Sequence, residues 1–171
     1  MFKPQFLALF CLSTAWALSA EAQDVRYSDQ PLEACLQAST TAREDQGCIG
    51  LASQACQNAN DLGGTTVGMV ACGGREAEFW DRKLNEVYGT LVKKAEANDR
   101  EMKEIGATVP LILPALRDMQ RAWITYRDRT CDYEYSQWGG GTGGGPAIVA
   151  CQSRMTALQY IYLKHSWPFD N

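Results

Sequence analysis

Few residues in this chain have chemistry to offer, and their spacing restricts what they can do. A Cys–His pair would supply a nucleophile and its base. The single histidine, His165, lies near the C-terminus, however, and reads as a C-terminal helix cap. Glu76, Glu78 and Asp81 cluster as general acid–base catalysis would require. Acidic residues at helical spacing are by default solvated or salt-bridged. No serine sits in the strand–turn–helix setting of a nucleophile elbow. Paired cysteines leave no His/Cys set for zinc, and no DxDxDG loop is present for calcium. Residues 138–146, WGGGTGGGP, invite comparison with a phosphate-cradling loop. That loop needs Gly-Lys-Ser/Thr after a buried strand, and here there is neither lysine nor strand. The sequence reads as non-enzymatic, with no cofactor and no metal site.

The cysteines speak to compartment. The opening MFKPQFLALFCLSTAWALSAEAQ carries Lys3, an apolar run from Phe6 to Leu18, and the small-x-small site Ala20-Glu21-Ala22. This pattern predicts a secretory signal peptide over residues 1–22, cut after Ala22. Phe10 before Cys11 is too bulky for lipid attachment. No later segment approaches the roughly 20 apolar residues of a membrane span. The expected product is exported, periplasmic or extracellular, with Cys35, Cys48, Cys56, Cys72, Cys131 and Cys151 remaining. Six cysteines in a small exported domain imply disulfides, with 15 connectivities open to them. The formal net charge of −4 argues against nucleic acid, which needs a basic face, and mildly favours a basic protein partner.

Midpoints rank the pairings. Cys35–Cys48 brackets the polar stretch STTARED, Cys56–Cys72 centres on Gly64, and Cys131–Cys151 centres on Gly141 in the glycine loop. Each pair would staple two arms equidistant from a turn. A Cys48–Cys56 bridge competes. Along a continuous helix those α-carbons would stand about 12 Å apart, beyond disulfide reach.

Apolar periodicity supplies the arms. Helices are predicted over about 31–39 and 46–59. A long helix is expected from Arg75, after an interruption at Gly73-Gly74, to about residue 97. Its face is Ala77, Trp80, Leu84, Tyr88, Leu91 and Ala95. Residues 98–106 form a polar helix or loop stopped by Gly106. Pro114 suits the first turn of a helix running to Gln137, with Leu116, Met119, Trp123 and Tyr126 on its face. Pro146 opens a last helix facing inward through Ile148, Cys151, Met155, Leu158 and Tyr162. No stretch alternates with period two. The expected fold is all-α, a small disulfide-stapled bundle built from helical hairpins. Within it, WGGGTGGGP becomes a slack hairpin tip held at its base by Cys131 and Cys151.

The polar residues of these helices admit two readings. Asp81, Asn85 and Tyr88 share a face beside Trp80 and Leu84, while Gln120, Trp123, Arg127 and Cys131 follow helical steps on the other arm. The plainer reading forks Arg127 onto Asp81 or Glu76, with Gln120 or Asn85 filling the remaining hydrogen bonds of a partly buried network. The alternative is a binding site centred on Arg127 and Asp81.

Two stretches carry a resemblance. CGGREAEFWDRKLNEVY (72–88) presents Cys72, Glu76, Trp80-Asp81, Leu84-Asn85 and Tyr88. LRDMQRAWITYRDRTC (116–131) presents Gln120, Trp123, Tyr126-Arg127-Asp128 and Cys131, followed by Cys151 and Thr156. Together they resemble the N-terminal domain of the lysozyme inhibitor LprI family, small exported helical domains of bacteria, across residues 72–163. Gln159 departs from the family pattern, which often has arginine there, and residues 98–113 make a longer connection. The resemblance implies a helical domain over 72–166, preceded by a cysteine-bearing extension (23–71) and followed by a short tail (167–171). It supports the Cys131–Cys151 bridge and implies lysozyme as partner. The alternative is a non-inhibitory structural or ligand-binding module of the cell envelope. Tyr133, Tyr135 and Trp138, beside Gly141 at the tip, are the candidate partner contacts, because interface anchors are often Trp and Tyr.

Overall fold

A computed structural model describes residues 25–168. The predicted signal peptide with Cys11, and residues 169–171 of the tail, lie outside them. Six helices follow in order: α1 (Gln30–Ala38), α2 (Ala42–Gln46), α3 (Leu51–Ala59), α4 (Thr66–Glu104), α5 (Ile112–Ser136) and α6 (Gly144–Lys164). There is no strand among the described residues. The fold is an all-α bundle.

Local chemistry sets the helix ends, and several differ from expectation. The predicted helix over 46–59 is two pieces. Thr41 and Glu44 form a reciprocal capping box that starts α2 early. The chain then turns, and Gly50, in the left-handed region at φ +93°, opens α3. Cys48 therefore sits in a turn rather than on a helix, so helical distance is not what separates it from Cys56. The structure joins Cys35 to Cys48, Cys56 to Cys72 and Cys131 to Cys151, with Cα–Cα distances of 5.7, 5.7 and 5.5 Å.

The long helix begins nine residues before Arg75, at Thr66 (75 − 66 = 9), where the Thr65 hydroxyl accepts from the Gly68 amide. It runs without a break through Gly73-Gly74 and takes in the polar residues up to Glu104. The glycines do not interrupt it, and α6 packs closely against Gly73. A Cβ on Gly73 would stand 3.0 Å from Val149 Cγ1. Each helical glycine costs about 1 kcal/mol against alanine, and close helix contact together with the Cys56–Cys72 staple offsets it. At the far end, the Asp99 carboxylate on α4 accepts from the Ile112 and Leu113 amides at 2.8 and 2.9 Å, capping α5. Helix α6 starts two residues ahead of Pro146 (146 − 144 = 2), which stays in the first turn, where its missing N–H leaves no bond unmade.

Helices α4 and α6 run parallel, and α5 runs antiparallel between them in the chain. Leu32, Cys48 and Ala52 from the N-terminal segment share one buried cluster with Phe79, Trp80 and Ala157. Leu84, Leu91 and Leu163 form a second, flanked by Tyr88, Leu116, Met119, Trp123 and Trp167. The α6 face differs from the expected stripe. Leu158 and Tyr162 are exposed, while Ser153, Thr156, Ala157, Gln159 and Ile161 are buried. Helix α6 is packed by α4 on one side, α5 on another and α2 at its end, so a single-stripe pattern does not describe it. Tyr126, expected on the inner face of α5, is exposed as well.

Candidate functional site

Glu76 is the most enclosed of the polar motif residues, 1% exposed. Its partner is not Arg127. One carboxylate oxygen accepts from the Gly50 amide at 2.6 Å and from Trp80 Nε1 at 3.0 Å, and the other accepts from the Ser53 amide at 2.7 Å. A side chain of α4 thus caps the N-terminus of α3, where orphan amides and the helix dipole favour negative charge. Gln120 is also buried and accepts from Gln159 Nε2 at 2.9 Å. At the position where the family often has arginine, Gln159 completes a neutral amide pair. Tyr88 packs half-buried beside Leu84 and Leu91.

Arg127 faces elsewhere. Its guanidinium lies over the Trp123 ring, 5.0 Å from the centroid, and its Nε and Nη2 reach Asp128 Oδ1 at 2.9 and 2.8 Å. The side chain is 22% exposed. Neither Glu76 nor Asp81 is its salt-bridge partner, so the buried fork of the plainer reading is replaced by a stacked, half-buried cation. Asp81 instead accepts from Asn85 Nδ2 at 3.0 Å on the surface of α4. Between them lies an open groove of about 620 Å³. Val149, Gln152 and Thr156 line it from α6, Glu78, Asp81 and Arg82 from α4, and Arg127 from α5.

The glycine tip is folded rather than slack. Gly139 and Gly140 take left-handed φ of +56° and +84°. The Trp138 ring lies flat on Gly143, where a Cβ would collide with it, and a Cβ on Gly144 would come 2.8 Å from Tyr135 Cε2. Gly141 stands close to the Trp138 carbonyl. The outer faces of the tip aromatics stay open to solvent, with Tyr133, Tyr135 and Trp138 exposed by 66, 49 and 52%.

One cluster escaped the sequence reading. Asp45 of α2 is buried and receives Lys164 Nζ at 2.9 and 2.8 Å, His165 Nε2 at 2.7 Å and the Ser39 hydroxyl. Burial alone would raise the pKa of this carboxyl, but the hydrogen bonds from Lys164, Ser39 and His165 outweigh it and hold the value below the usual aspartate range. His165 occupies the C-cap of α6, as its position suggested, and also closes this latch. The capping-box spacing Thr41-x-x-Glu44 was the available signal for α2, although nothing local to it names a partner 119 residues away.

The fold and its exposed surfaces define a small helical domain stapled by disulfides. Among the described residues no three His, Cys, Asp or Glu side chains are grouped to hold a metal, and no helix is long and apolar enough to cross a membrane. The chain belongs to the lysozyme inhibitor LprI family, whose model matches residues 56–163. The match reaches back through Cys56, so the Cys56–Cys72 staple falls inside it. An uncharacterized protein of Rhizobium meliloti (strain 1021) is 31% identical over 93 residues, covering 54% of this chain and 67% of that protein. An uncharacterized 17.7 kDa protein from the puhA 5′ region of Rhodobacter capsulatus is 25% identical over 132 residues, covering 76% and 80% respectively. No solved structure matches.

Proposed function

We propose that this protein is an exported, non-enzymatic inhibitor that binds lysozyme through the tip of the α5–α6 hairpin. The observation that carries the reading is the family match over residues 56–163, which spans both arms and the tip. Three disulfides support an oxidising compartment outside the cytosol, and the net charge of −4 favours encounter with a basic enzyme. The tip offers Tyr133, Tyr135 and Trp138 on a turn already ordered by Gly139, Gly140 and the Trp138–Gly143 contact. Fixing free glycines on binding would cost about 1–2 kcal/mol each, and a preformed turn avoids most of that.

The test is inhibition of bacterial cell-wall lysis by wild type, Trp138→Ala and Gly143→Ala, against several lysozyme types. Gly143→Ala keeps every side chain of the tip but lifts the Trp138 ring from its seat. Both variants are expected to inhibit at least about tenfold more weakly, equivalent to about 1.4 kcal/mol. Equal inhibition by all three would remove the tip from the mechanism. No inhibition by wild type would sink the inhibitor reading in favour of a non-inhibitory envelope module.

A further inference from the structure

The groove between α4, α5 and α6 is lined by small and weakly polar groups, from Ala77 and Val149 to the buried Thr156 and the exposed amide of Gln152. It also carries charges of both signs. Glu78 is paired with Arg75 at 3.5 Å and Arg82 with Asp29 at 2.7 Å, which leaves Asp81 and Arg127 as its two posts. Arg127 is the best-positioned of these. The Trp123 ring supports its plane, and a single oxygen of Asp128 takes both Nε and one Nη2 hydrogen. A guanidinium has five N–H donors in a fixed fork, so its Nη1 edge is left for an acceptor that enters the groove. Across from it, Asp81 is oriented by the Asn85 amide, which donates to one of its oxygens and leaves the other to receive a cation.

From this arrangement we propose that the groove is a binding site for a short zwitterionic peptide, independent of the hairpin tip. The peptide's carboxylate pairs with Arg127 and its ammonium with Asp81. A simple anion would meet repulsion from Asp81, and a simple cation from Arg127. A ligand carrying both charges satisfies both posts, which is how charge complementarity confers selectivity. Gln152 and Thr156 line the same groove as partners for the amide between the charges, and Ala77 and Val149 leave room for small side chains. The volume of about 620 Å³ lies within the ordinary range for small-ligand sites. Gly74 borders the groove with nothing within 4 Å of where its Cβ would stand.

The test is a titration of the isotopically labelled, disulfide-intact protein with L-alanyl-L-alanine, followed by amide NMR shifts. Parallel arms use the N-acetylated dipeptide, the C-amidated dipeptide and acetate alone. The dipeptide is expected to give saturable shifts at the amides of Gly74, Ala77, Gln152 and Thr156. Blocking either terminus, or substituting Arg127→Gln or Asp81→Asn, is expected to weaken binding about tenfold or more. Gly74→Leu fills the groove without touching a charge, and should abolish the shifts while the spectrum stays folded. Asp81 is exposed, so its variant reports even if Arg127→Gln unfolds. No saturable shift at millimolar dipeptide, equal binding of the blocked forms, or shifts from acetate alone would each overturn the proposal. None of these results bears on lysis inhibition, which is read separately.

Discussion

Replacing Glu76 by alanine removes one acceptor group from three donors at once. The Gly50 and Ser53 amides and Trp80 Nε1 would lose their partner in a position 1% exposed. A buried donor left unsatisfied costs about 1–3 kcal/mol. The two backbone donors belong to the first turn of α3, where water can enter the vacated volume, so the lower end of that range applies to them. The expected loss for Glu76→Ala is about 3–5 kcal/mol in all. Against a typical domain stability of about 5–15 kcal/mol, that loss is large. Glu76→Gln keeps the shape and one acceptor oxygen but turns an NH₂ toward an N–H donor, and it removes the charge that strengthens all three bonds. It should cost about 1–3 kcal/mol.

Urea denaturation without reductant reads both variants by tryptophan fluorescence, to which Trp80 contributes alongside Trp123, Trp138 and Trp167. The denaturant slope should stay constant, since the disulfides and the surface exposed on unfolding are unchanged. In thermal melts a loss of 3–5 kcal/mol corresponds to roughly 6–20 °C for a chain of this size. If Glu76→Gln unfolds within about 0.5 kcal/mol of wild type, the charge at the α3 N-terminus contributes nothing, and the capping account fails.

The remaining substitutions test other parts of the structure. Arg127→Ala should cost only about 1–1.5 kcal/mol, the sum of a half-exposed cation–π contact and a surface ion pair; a loss above 3 kcal/mol in denaturation would restore the buried fork. The Asp45 latch should contribute fully above about pH 4, the unfolded aspartate value, and fade as pH falls through the lower folded value. The stability gap between wild type and Asp45→Asn should therefore be present at pH 5 and close toward pH 2; a gap that widens between pH 5 and 2 would contradict the assigned hydrogen bonds. Gly74→Ala should stabilise by about 0.5–1 kcal/mol as a helix-interior glycine in open space. Gly73→Ala should gain less or lose stability, because Val149 Cγ1 stands 3.0 Å from the new methyl; equal gains in thermal melts would show that α6 yields there.

Much of the fold was legible because its signals are local. The 3.6-residue spacing of Trp80, Leu84, Leu91 and Ala95 marks the buried side of α4. The midpoints at Gly64 and Gly141 fall between helices, while that of Cys35–Cys48 falls where α2 begins. Where partners lie far apart in sequence, periodicity has no purchase. Glu76 caps a helix that begins 25 residues earlier at Leu51 (76 − 51 = 25), and Asp45 meets the end of α6. Each looks like an ordinary surface carboxylate until the tertiary contact is known. Gly73-Gly74 looks like a breaker for the same reason. Helix propensity disfavours it, and the close packing of α6 against Gly73 is invisible in the local pattern. Helix α6 hides its inward side because several elements surround it, so buried Ser153, Thr156 and Gln159 occur where one stripe would demand apolar residues.

The glycine tip shows how composition alone can mislead about order. Six glycines around Thr142 suggest a chain rich in conformations, since glycine loses the most freedom on folding. The tip contains two kinds of glycine with specific tasks. Gly139 and Gly140 supply the left-handed backbone that reverses the chain, and Gly143 and Gly144 supply flat surface on which Trp138 and Tyr135 lie. The aromatic rings are therefore ordered by the glycines beneath them. The Cys131–Cys151 bridge then acts on a hairpin whose end is already closed, and the entropy it removes belongs to the unfolded chain. The tip thus has one face packed on its own glycines, while Trp138 and Tyr135 remain about half exposed. If the proposed contact is made here, a turn already in this geometry would lower the ordering cost of binding.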